Sequence, residues 1–420
     1  MKQRIGILSL GCPRNLVDAE ALAGRLNFKG YSIVEDLALA QVVLVNTCAF
    51  IQDAKRESID AILDLIELKK QGKLKKIIVY GCLAQRYKNL AKQLPEVDAF
   101  VGTLGQNHES KRFPLTPKHY AYLKICEGCL NRCSYCVIPK IKGGLKSLDE
   151  TTIIRKVKRF NQEKISELNI IGQDITGFGL DFGKKSRLTG LLRKIISNAP
   201  DIGWIRLLYL NPQRITNELL ELITASAKVC KYIDLPVQHI NNRILKSMNR
   251  PILRQEISAL IKKIRRIIPG VYLRTSLIVG FPSETEKEFN ELLSFVRETE
   301  FDRLGVFIYS REEGTPAYNF KGQIPPSLKQ ERLDRIMSAQ REIAAGLNAE
   351  FLGRTIPVLV EEKQDGSYIG RSQGDAPEVD GAVYINTKQP LKEGKFIQVK
   401  ITDTLEYDLV GEPIPHLLKA

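Results

Sequence analysis

Short apolar runs alternate with amphipathic stretches over the N-terminal part of the chain. The strand-like runs lie at Ile5–Ser9, Val42–Val45 and Ile77–Val79, and the helical patterns between them lie at Asp18–Phe28 and Asp53–Lys70. This alternation predicts parallel strands joined by helices, because parallel strands need long crossover connections. We therefore predict an α/β domain over residues 1–118, built on a parallel sheet, that ends in the Pro- and Gly-containing linker Thr103–His119.

The same rhythm continues through the middle of the chain with six further strand-like runs. These lie at Tyr122–Ile125, Glu167–Ile171, Ile205–Tyr209, Tyr232–Leu235, Tyr272–Val279 and Arg303–Tyr309. Helical patterns separate them at Thr152–Phe160, Leu188–Ser197, Asn217–Ala225, Leu253–Ile267 and Glu284–Arg297. Six βα units with right-handed crossovers predict a partial (β/α)6 barrel, similar to part of a TIM barrel, over residues 119–350.

The pattern changes after Gly353 to short strands separated by turn residues. The runs are Ile356–Glu361, Tyr368–Arg371, Val383–Ile385, Phe396–Ile401 and Leu409–Val410, with turns at Asp365-Gly366, Asp380-Gly381 and Glu393-Gly394. Such spacing is typical of a small all-β barrel. We predict one over residues 353–420, with about five strands.

Charge separates this last domain from the rest of the chain. The 420 residues carry a net charge of +15, whereas residues 353–420 hold eight basic and eleven acidic side chains and the preceding part carries +18. A basic protein favours an acidic partner such as nucleic acid or an RNA-rich particle. The apolar runs are far shorter than the ~20 residues of a membrane helix, and the N-terminus has no signal-like segment. We therefore expect a cytoplasmic protein that has no membrane among its partners.

One cysteine group is compact, with Cys129, Cys133 and Cys136 in the pattern C-x3-C-x2-C after the first barrel strand. Thiolates at this spacing can hold one iron–sulfur cluster, and three ligands leave one iron open. A zinc knuckle is an alternative, although no His or fourth Cys stands at the usual spacing downstream. A closed ferredoxin cluster that also uses Cys126 is another, although C-x2-C-x3-C-x2-C is not the ferredoxin spacing.

A second cysteine group is dispersed, since Cys12, Cys48 and Cys82 each follow one of the three N-terminal strands. Loops after parallel strands share the carboxyl edge of the sheet, so these thiols should converge there. Three buried core cysteines are the alternative, because free cysteine is often buried. We predict a second three-cysteine cluster with an open iron, and we interpret Cys126 and Cys230 as packing residues.

The compact cysteine loop, with Tyr135 before its last cysteine, resembles the signature of radical S-adenosylmethionine enzymes. The resemblance implies that the amino and carboxylate groups of S-adenosylmethionine chelate the open iron of a 4Fe-4S cluster. It further implies that an electron from the cluster cleaves the cofactor to a 5′-deoxyadenosyl radical. A partial βα barrel suits this chemistry, because the loops after its strands gather at one face.

Both cysteine groups and the small β barrel together make the whole chain resemble the radical methylthiotransferases. The segments that resemble the RimO-type branch are Ser9–Asp18 (SLGCPRNLVD), Val45–Ile51 (VNTCAFI), Asp234–His239 (DLPVQH) and Tyr309–Tyr318 (YSREEGTPAY). The resemblance implies two 4Fe-4S clusters, S-adenosylmethionine, a C-terminal TRAM domain similar to an OB fold, and an electron donor. The implied reaction is methylthiolation of the β-carbon of an aspartate in small-subunit ribosomal protein S-twelve, free or within the ribosome.

Two other functions are open at this stage. One is the MiaB-type reaction, methylthiolation of an adenosine in transfer RNA, although the C-terminal barrel lacks the Lys/Arg excess that phosphate binding favours. The other is a non-enzymatic two-cluster electron carrier or scaffold, which leaves the βα units and the open irons unexplained.

Four residues are candidates for cofactor contacts. Gln173 and Gln238 close predicted strands and could hydrogen-bond the ribose or the amino acid part of S-adenosylmethionine, or satisfy loop backbone instead. Gly280 follows a strand in the sequence Gly-Phe-Pro, and the resemblance implies a cofactor contact for it and for Tyr135. The alternative for Gly280 is a tight strand-to-helix turn whose helix is capped by Ser283 and Glu284.

Overall fold

A computed structural model describes residues 2–105, 112–364 and 366–414. The chain divides into two compact units. The first is formed by segments 1–116, Cys126–Lys146 and Ser310–Tyr318, and the second by Pro117–Ile125, Ser147–Tyr309 and Asn319–Ala420. The predicted domain bounds 1–118, 119–350 and 353–420 follow chain order instead, and they stay predictions.

The strands, in chain order, are β1 (Arg4–Ser9), β2 (Ser32–Val34), β3 (Val42–Thr47), β4 (Lys76–Gly81), β5 (Ala99–Val101), β6 (Tyr120–Lys124), β7 (Cys126–Glu127), β8 (Lys146–Ser147), β9 (Glu167–Ile171), β10 (Trp204–Leu207), β11 (Tyr232–Asp234), β12 (Tyr272–Val279), β13 (Arg303–Ile308), β14 (Thr355–Gln364), β15 (Ser367–Arg371), β16 (Val383–Ile385), β17 (Phe396–Thr404) and β18 (Leu409–Pro413).

The α-helices are α1 (Pro13–Phe28), α2 (Gln52–Lys70), α3 (Cys82–Arg86), α4 (Leu90–Gln93), α5 (Ile138–Lys142), α6 (Glu150–Gln162), α7 (Leu188–Ser197), α8 (Asn217–Ala225), α9 (Asn242–Ser247), α10 (Arg254–Ile267), α11 (Glu286–Thr299) and α12 (Pro326–Ala349).

The first unit is built on the parallel sheet that the sequence predicts. Its strand order is β2-β1-β3-β4-β5, and all its pairs are parallel. All six residues of the central strand β3 are buried. Its apolar side chains pack on both faces, and this matches an unbroken Val/Leu run flanked by helices. The two edge strands, β2 and β5, are three residues each and were not predicted.

The predicted linker is partly anchored. Its residues 106–111 lie outside the described residues, but residues 112–116 contact Glu20 of α1, whose side chain is buried. The Glu20 carboxylate accepts hydrogen bonds from Arg112 and from the backbone amides of Leu115 and Thr116, at 3.0–3.3 Å. This segment is irregular, as predicted, and one carboxylate anchors it through Arg112 and the amides of Leu115 and Thr116.

The second unit contains the six predicted barrel strands, all in parallel pairs. They form two three-stranded sheets, β6-β9-β10 and β11-β12-β13. A single bridge from Ile205 to Val229 leads from β10 towards β11. The α/β class and the partial barrel are thus confirmed.

The barrel helices differ from the prediction in two respects. The helix expected from Glu284 begins at Glu286, because Thr285 caps it in a reciprocal pair of hydrogen bonds with Glu288. The 24-residue α12 was not predicted at all. Its buried face mixes apolar with polar residues, so the apolar periodicity by which amphipathic helices are found is weak; the polar ones are Lys329, Arg332, Gln340 and Asn348.

The C-terminal segment is a closed five-stranded barrel in the order β14-β15-β16-β18-β17, as predicted. Its apolar core includes Val358, Val360, Val383, Val399 and Ile401. Asp365, predicted as a turn residue, lies outside the described residues.

Buried ion pairs join this barrel to the amino ends of the parallel strands. Glu167 of β9 lies between Arg206 and Arg371, at 2.7 and 2.5 Å, and all three side chains are at most 4% exposed. Asp375 binds Arg303 of β13 at 2.5 Å. The small barrel therefore closes the amino ends of the strands and leaves their carboxyl ends for a site.

Between the small barrel and β12, Asp380 binds Arg274 at 3.2 Å. Three of the acidic residues counted in the C-terminal domain, Glu361, Asp375 and Asp380, are therefore used inside the unit.

Candidate metal centres

The dispersed cysteines lie after the three central strands of the first sheet, as predicted. Cys12 follows β1 and is the residue before α1, Cys48 directly follows β3, and Cys82 directly follows β4 as the first residue of α3. Because β1, β3 and β4 are neighbours in the sheet, their three post-strand loops meet at one edge. Cys48 and Cys82 are each 7% exposed, and Cys12 is half-buried.

Close contacts bring these three loops together. A Cβ on Gly11 would lie 2.5 Å from Cys48 Cβ and 2.8 Å from its Sγ, so the Cys12 loop needs glycine at this point. Gly11 also has a φ of +87°, which favours glycine. The Gly11 backbone therefore packs directly against Cys48.

Asn15 connects all three loops from within. Its Nδ2 donates to the carbonyls of Leu10 and Thr47 at 3.0 and 3.2 Å, and its Oδ1 lies 3.9 Å from the Cys82 thiol. Sequence reasoning missed Asn15, although its place three residues after Cys12, in the first turn of a helix, was a usable signal. A buried amide that joins three loops fixes their spacing.

Electrostatics distinguish the three thiols. Burial acts to raise the pKa of Cys12, but the charge of Arg14 and hydrogen bonds from Asn15 and Arg14 outweigh it and lower the pKa. Burial and the nearby Cys12 raise the pKa of Cys48, and burial raises that of Cys82 to about 12. Mutual influence among the thiols places them within electrostatic range of one another, and metal binding to such thiols must release protons.

The compact cysteines lie on the loop between β7 and α5, within the first unit. Cys129 donates its backbone amide to Gly143 O at 3.3 Å, and Cys136 donates to Cys133 O at 3.1 Å. Gly128 precedes the loop with a φ of +72°, and a Cβ there would lie 2.1 Å from Gly144 O. The loop is thus closed on itself by its own backbone.

The sulfur atoms of this loop have suitable surroundings for a cluster. Asn131 donates its backbone and side-chain N–H groups to Cys129 Sγ at 3.4 and 3.3 Å. Burial raises the pKa of Cys136 to about 12, with Cys133 and Cys129 adding to it. Three thiols on one loop, with N–H donors directed at the sulfur atoms of Cys129 and Cys136, fit an iron–sulfur cluster, whose properties depend on such hydrogen bonds. Tyr135 lies half-buried in the same loop.

A zinc knuckle is the alternative that the sequence leaves open for the compact cysteine loop. Within the described segments, no three His, Cys, Asp or Glu side chains are placed to hold one ion. A zinc site needs its ligands to meet around one ion. Thiolates of a four-iron cluster bind different irons instead, so a cluster does not require that arrangement.

The other three candidates end strands of the second unit. Gln173 follows β9 and is half-buried. Gln238 follows β11 with a φ of +70°, and its backbone binds Ser276 and Ile278 of β12. Gly280 follows β12 with a φ of +69°. A left-handed backbone conformation is strained for a non-glycine residue such as Gln238, and active sites are one place where such strain occurs. Whether these residues contact a cofactor stays a prediction.

The Gly280 turn is held by a buried network that sequence reasoning missed. Glu284 accepts hydrogen bonds from the amides of Gly280 and Phe281 at 3.0 and 3.3 Å, and it pairs with Arg332 of α12 at 2.8 Å. Glu284 thus does not cap α11. A Cβ on Gly280 would lie 2.3 Å from Lys329 Cγ, so packing alone requires glycine here.

Three family models match separate parts of the chain. Residues 4–102 match an uncharacterized protein family, UPF0004, residues 123–296 match the radical SAM superfamily, and residues 352–414 match the TRAM domain. The solved structure of the radical S-adenosylmethionine methyltransferase TsrM from Kitasatospora setae, with cobalamin and a [4Fe-4S] cluster bound, has a similar fold. Its TM-score is 0.54 at 12% identity, over 87% of this chain and 80% of that one.

Curated relatives match nearly the whole chain. The ribosomal protein uS12 methylthiotransferase RimO of Clostridium novyi is 46% identical over 98% of this chain and 98% of its own length. The enzyme of the same name from Desulforamulus reducens is 45% identical over 97% of this chain and 99% of its own length. Coverage is close to complete on both sides, and the radical SAM and TRAM matches agree with it. The chain therefore belongs to the RimO family of radical S-adenosylmethionine methylthiotransferases.

Proposed function

We propose that this protein methylthiolates the β-carbon of an aspartate in ribosomal protein uS12. The observation that carries the proposal is the presence of two separate three-thiol groups in a chain of the RimO family. A reaction that needs both a radical source and a sulfur donor needs two such centres, whereas cleavage of S-adenosylmethionine alone needs one. When bound, S-adenosylmethionine and the two 4Fe-4S clusters supply the radical and the methylthio group.

Each group of thiols has its own role in this proposal. Cys129, Cys133 and Cys136 hold the cluster that binds S-adenosylmethionine. The thiols of Cys12, Cys48 and Cys82 hold the cluster at which sulfur is made available, and Asn15 orients their loops. Three protein ligands per cluster leave one iron open in each. No acid–base pair is required of the protein for removal of a hydrogen atom.

The remaining candidates would position the cofactor. Tyr135 lies in the compact cysteine loop, and Gln173 and Gln238 stand at strand ends with polar side chains suited to ribose or amino acid groups. Gly280 contributes a turn without a Cβ, and the Glu284–Arg332 pair holds that turn in place. These roles are proposed from the positions of the four residues in the cysteine loop and at the strand ends.

The acidic residues of the C-terminal barrel support a basic protein substrate less strongly than their number indicates. Glu361 and Asp375 are engaged with Arg371 and Arg303 rather than displayed to a partner. The barrel nevertheless lacks an excess of basic residues, so the MiaB-type reaction on transfer RNA gains no electrostatic support. Family membership therefore carries the choice of substrate.

The proposal also includes an external electron donor and action in the cytoplasm, where ribosomes are assembled. Among the described residues, no helix has the length and apolar character needed to cross a membrane.

The test is anaerobic reconstitution followed by mass spectrometry of the substrate. The protein, loaded with iron and sulfide and supplied with a reductant and S-adenosylmethionine, is incubated with recombinant uS12, with assembled small subunits and with transfer RNA. We expect uS12 to gain the mass of a methylthio group in place of one hydrogen, on a single aspartate. Modification of transfer RNA and never of uS12 would contradict the proposal. Absence of cofactor cleavage under every condition would favour an electron carrier.

A further inference from the structure

Residues Ser310–Tyr318 follow β13, yet they belong to the first compact unit together with both cysteine groups. We call this segment the strap. Building on the proposed function, we propose that the strap fixes the spacing between the two cysteine groups, with Arg86 and Glu312 as positioning residues for the transfer of the methylthio group. Its contacts within the unit carry this proposal.

One end of the strap is attached to the dispersed cysteine group through Arg86. This arginine ends α3, the short helix that Cys82 begins. Its Nη1 donates to Ala49 O at 2.8 Å, next to Cys48, and to Glu312 Oε2 at 2.7 Å, while its Nη2 donates to Glu313 O at 3.0 Å. One guanidinium group therefore ties the Cys48 loop and the Cys82 helix to the strap.

The Arg86–Glu312 pair is buried, with side chains 8% and 2% exposed. The second carboxylate oxygen of Glu312 accepts from Ser310 Oγ at 2.5 Å, and Ser310 Oγ in turn accepts from the amide of Gln52 at the start of α2. With both oxygens engaged, the carboxylate has little freedom to rotate. Removal of the Glu312 charge would leave the buried Arg86 guanidinium without its counter-charge, so we expect the strap to loosen where this pair attaches it.

The other end of the strap is attached to the compact cysteine loop. Ala317 donates its amide to Ser134 O at 2.9 Å, and Ser134 lies between Cys133 and Cys136. A Cβ on Gly314 would lie 2.8 Å from Lys140 Nζ, so the strap also packs closely on α5. Thr315 lies between the two attached ends of the strap, and its amide and hydroxyl both donate to Glu312 O.

These contacts form a continuous path from the Cys82 helix through Arg86, Glu312 and Ala317 to the Cys133 loop. Two centres that share one reaction must keep a fixed separation, since a misplacement of about 1 Å can cost roughly 100-fold in rate. A path made of a buried ion pair and short hydrogen bonds is suited to this purpose. The strap thereby acts on transfer between the centres, without contacting the reacting atoms.

The test replaces Glu312 with Gln, which keeps the shape and removes the charge. The matched control is Glu67→Gln, since Glu67 is a carboxylate of the same unit in an exposed pair with Lys70. Ser310→Ala is a milder second variant that removes one link and leaves the Arg86–Glu312 pair intact. In the cluster-free protein, we expect Glu312→Gln to speed hydrogen exchange at the amides of Ala317 and Gln52, with no change in the control.

In the reconstituted protein, we expect unchanged iron content and cofactor cleavage, with the yield of methylthiolated uS12 per 5′-deoxyadenosine reduced by about 10- to 100-fold. The magnetic interaction between the two reduced clusters should also weaken in the electron paramagnetic resonance spectrum. Ser310→Ala should show the same changes to a smaller extent.

The outcomes separate this inference from the proposed function. Unchanged exchange and an unchanged product ratio in Glu312→Gln would overturn the role of the strap. Parallel loss of iron, cofactor cleavage and product would also overturn it, because the strap would then serve only folding. If the native chain never modifies uS12 while the exchange and magnetic changes occur, the proposed function and the role in methylthio transfer fail, and the role of the strap in fixing the spacing of the two cysteine groups stands.

Discussion

The two cysteine groups are assembled by different physical means. Cys129, Cys133 and Cys136 share one loop, which is closed by its own backbone hydrogen bonds. Cys12, Cys48 and Cys82 are distant in sequence and meet only because β1, β3 and β4 are adjacent parallel strands. We call the compact group the loop group and the dispersed group the sheet group. The loop group therefore depends on local backbone geometry, whereas the sheet group depends on the fold. Loss of sheet packing should therefore disrupt the sheet group before the loop group.

The largest effect expected is complete loss of cofactor cleavage when Cys133 is replaced with Ala. The loop group then has two thiols, too few to hold a cluster with one open iron. The measurement is 5′-deoxyadenosine after anaerobic reconstitution and reduction. Cys230→Ala is the control, because Cys230 is a buried cysteine outside both groups. Cleavage at the native rate in Cys133→Ala would refute the assignment.

Cys48→Ala should separate the two groups functionally. Because Cys48 belongs to the sheet group, its loss should stop methylthiolation while 5′-deoxyadenosine still forms. Both products are measured in the same reaction by mass spectrometry. Undiminished methylthiolation would show that the two groups do not divide the chemistry as proposed.

Gly128→Ala tests whether the loop group depends on local backbone. The new Cβ would lie 2.1 Å from Gly144 O, and the alanine would have to adopt the left-handed φ of +72°. A backbone carbonyl cannot move without opening the loop, so we expect loss of about half the bound iron, that of the loop group, and of most cofactor cleavage. Gly72→Ala is the control, since Gly72 has a φ of +73° and no neighbour within 4 Å. Equal iron loss in both variants would attribute the effect to strain alone.

Gly11→Ala is the corresponding change in the sheet group, with a smaller expected effect. The new Cβ would lie 2.5 Å from Cys48 Cβ, which the Cys48 backbone holds in place, and 2.8 Å from Cys48 Sγ, which can rotate away, so the clash is milder than the 2.1 Å contact at Gly128. We expect about 1–3 kcal/mol of destabilisation and partial loss of iron from this group, with cofactor cleavage retained. Gly30→Ala, at a φ of +91° with no neighbour within 4 Å, controls for strain. Urea unfolding and iron analysis compare the two variants.

The helices and strands that could be predicted from the sequence are those in which the pattern of apolar residues follows which side chains are buried. The bounds of β9, β12, α7 and α8 agree with the predicted ones at both ends, because each combines an apolar pattern with clear turn or cap residues. The sheet position of Cys12, Cys48 and Cys82 was predictable because parallel topology follows from alternation.

Other features depend on contacts that no local pattern reveals. The strands β2 and β5 are too short for a period, and α12 presents buried Lys329 and Arg332 where an apolar stripe was needed. The buried ion pairs of Glu167 and Asp375 join residues far apart in sequence. Polar side chains that are buried through partners look like surface residues in a sequence.

The smallest effect on chemistry is expected from Glu361→Gln in the second unit. Burial acts to raise the pKa of Glu361, but hydrogen bonds from His119 and Arg371 and the charge of Arg371 outweigh it and lower the pKa to about 2, from an ordinary 4.5. A lowered carboxyl pKa stabilises the fold above pH 4.5, and this stabilisation is lost as the pH falls from 4.5 towards 2.

At neutral pH we therefore expect Glu361→Gln to lower the free energy of unfolding by about 1–3 kcal/mol, with the difference from the native protein shrinking below pH 4.5. Urea unfolding at a series of pH values from neutral to acid measures it. Because Glu361 lies in the other compact unit, iron content and cofactor cleavage at neutral pH should equal those of the native protein. A pH-independent difference in stability would mean that the pKa of Glu361 is ordinary. Loss of iron at neutral pH would instead mean that the sheet and loop groups depend on the second unit, against the local and topological origins argued for them.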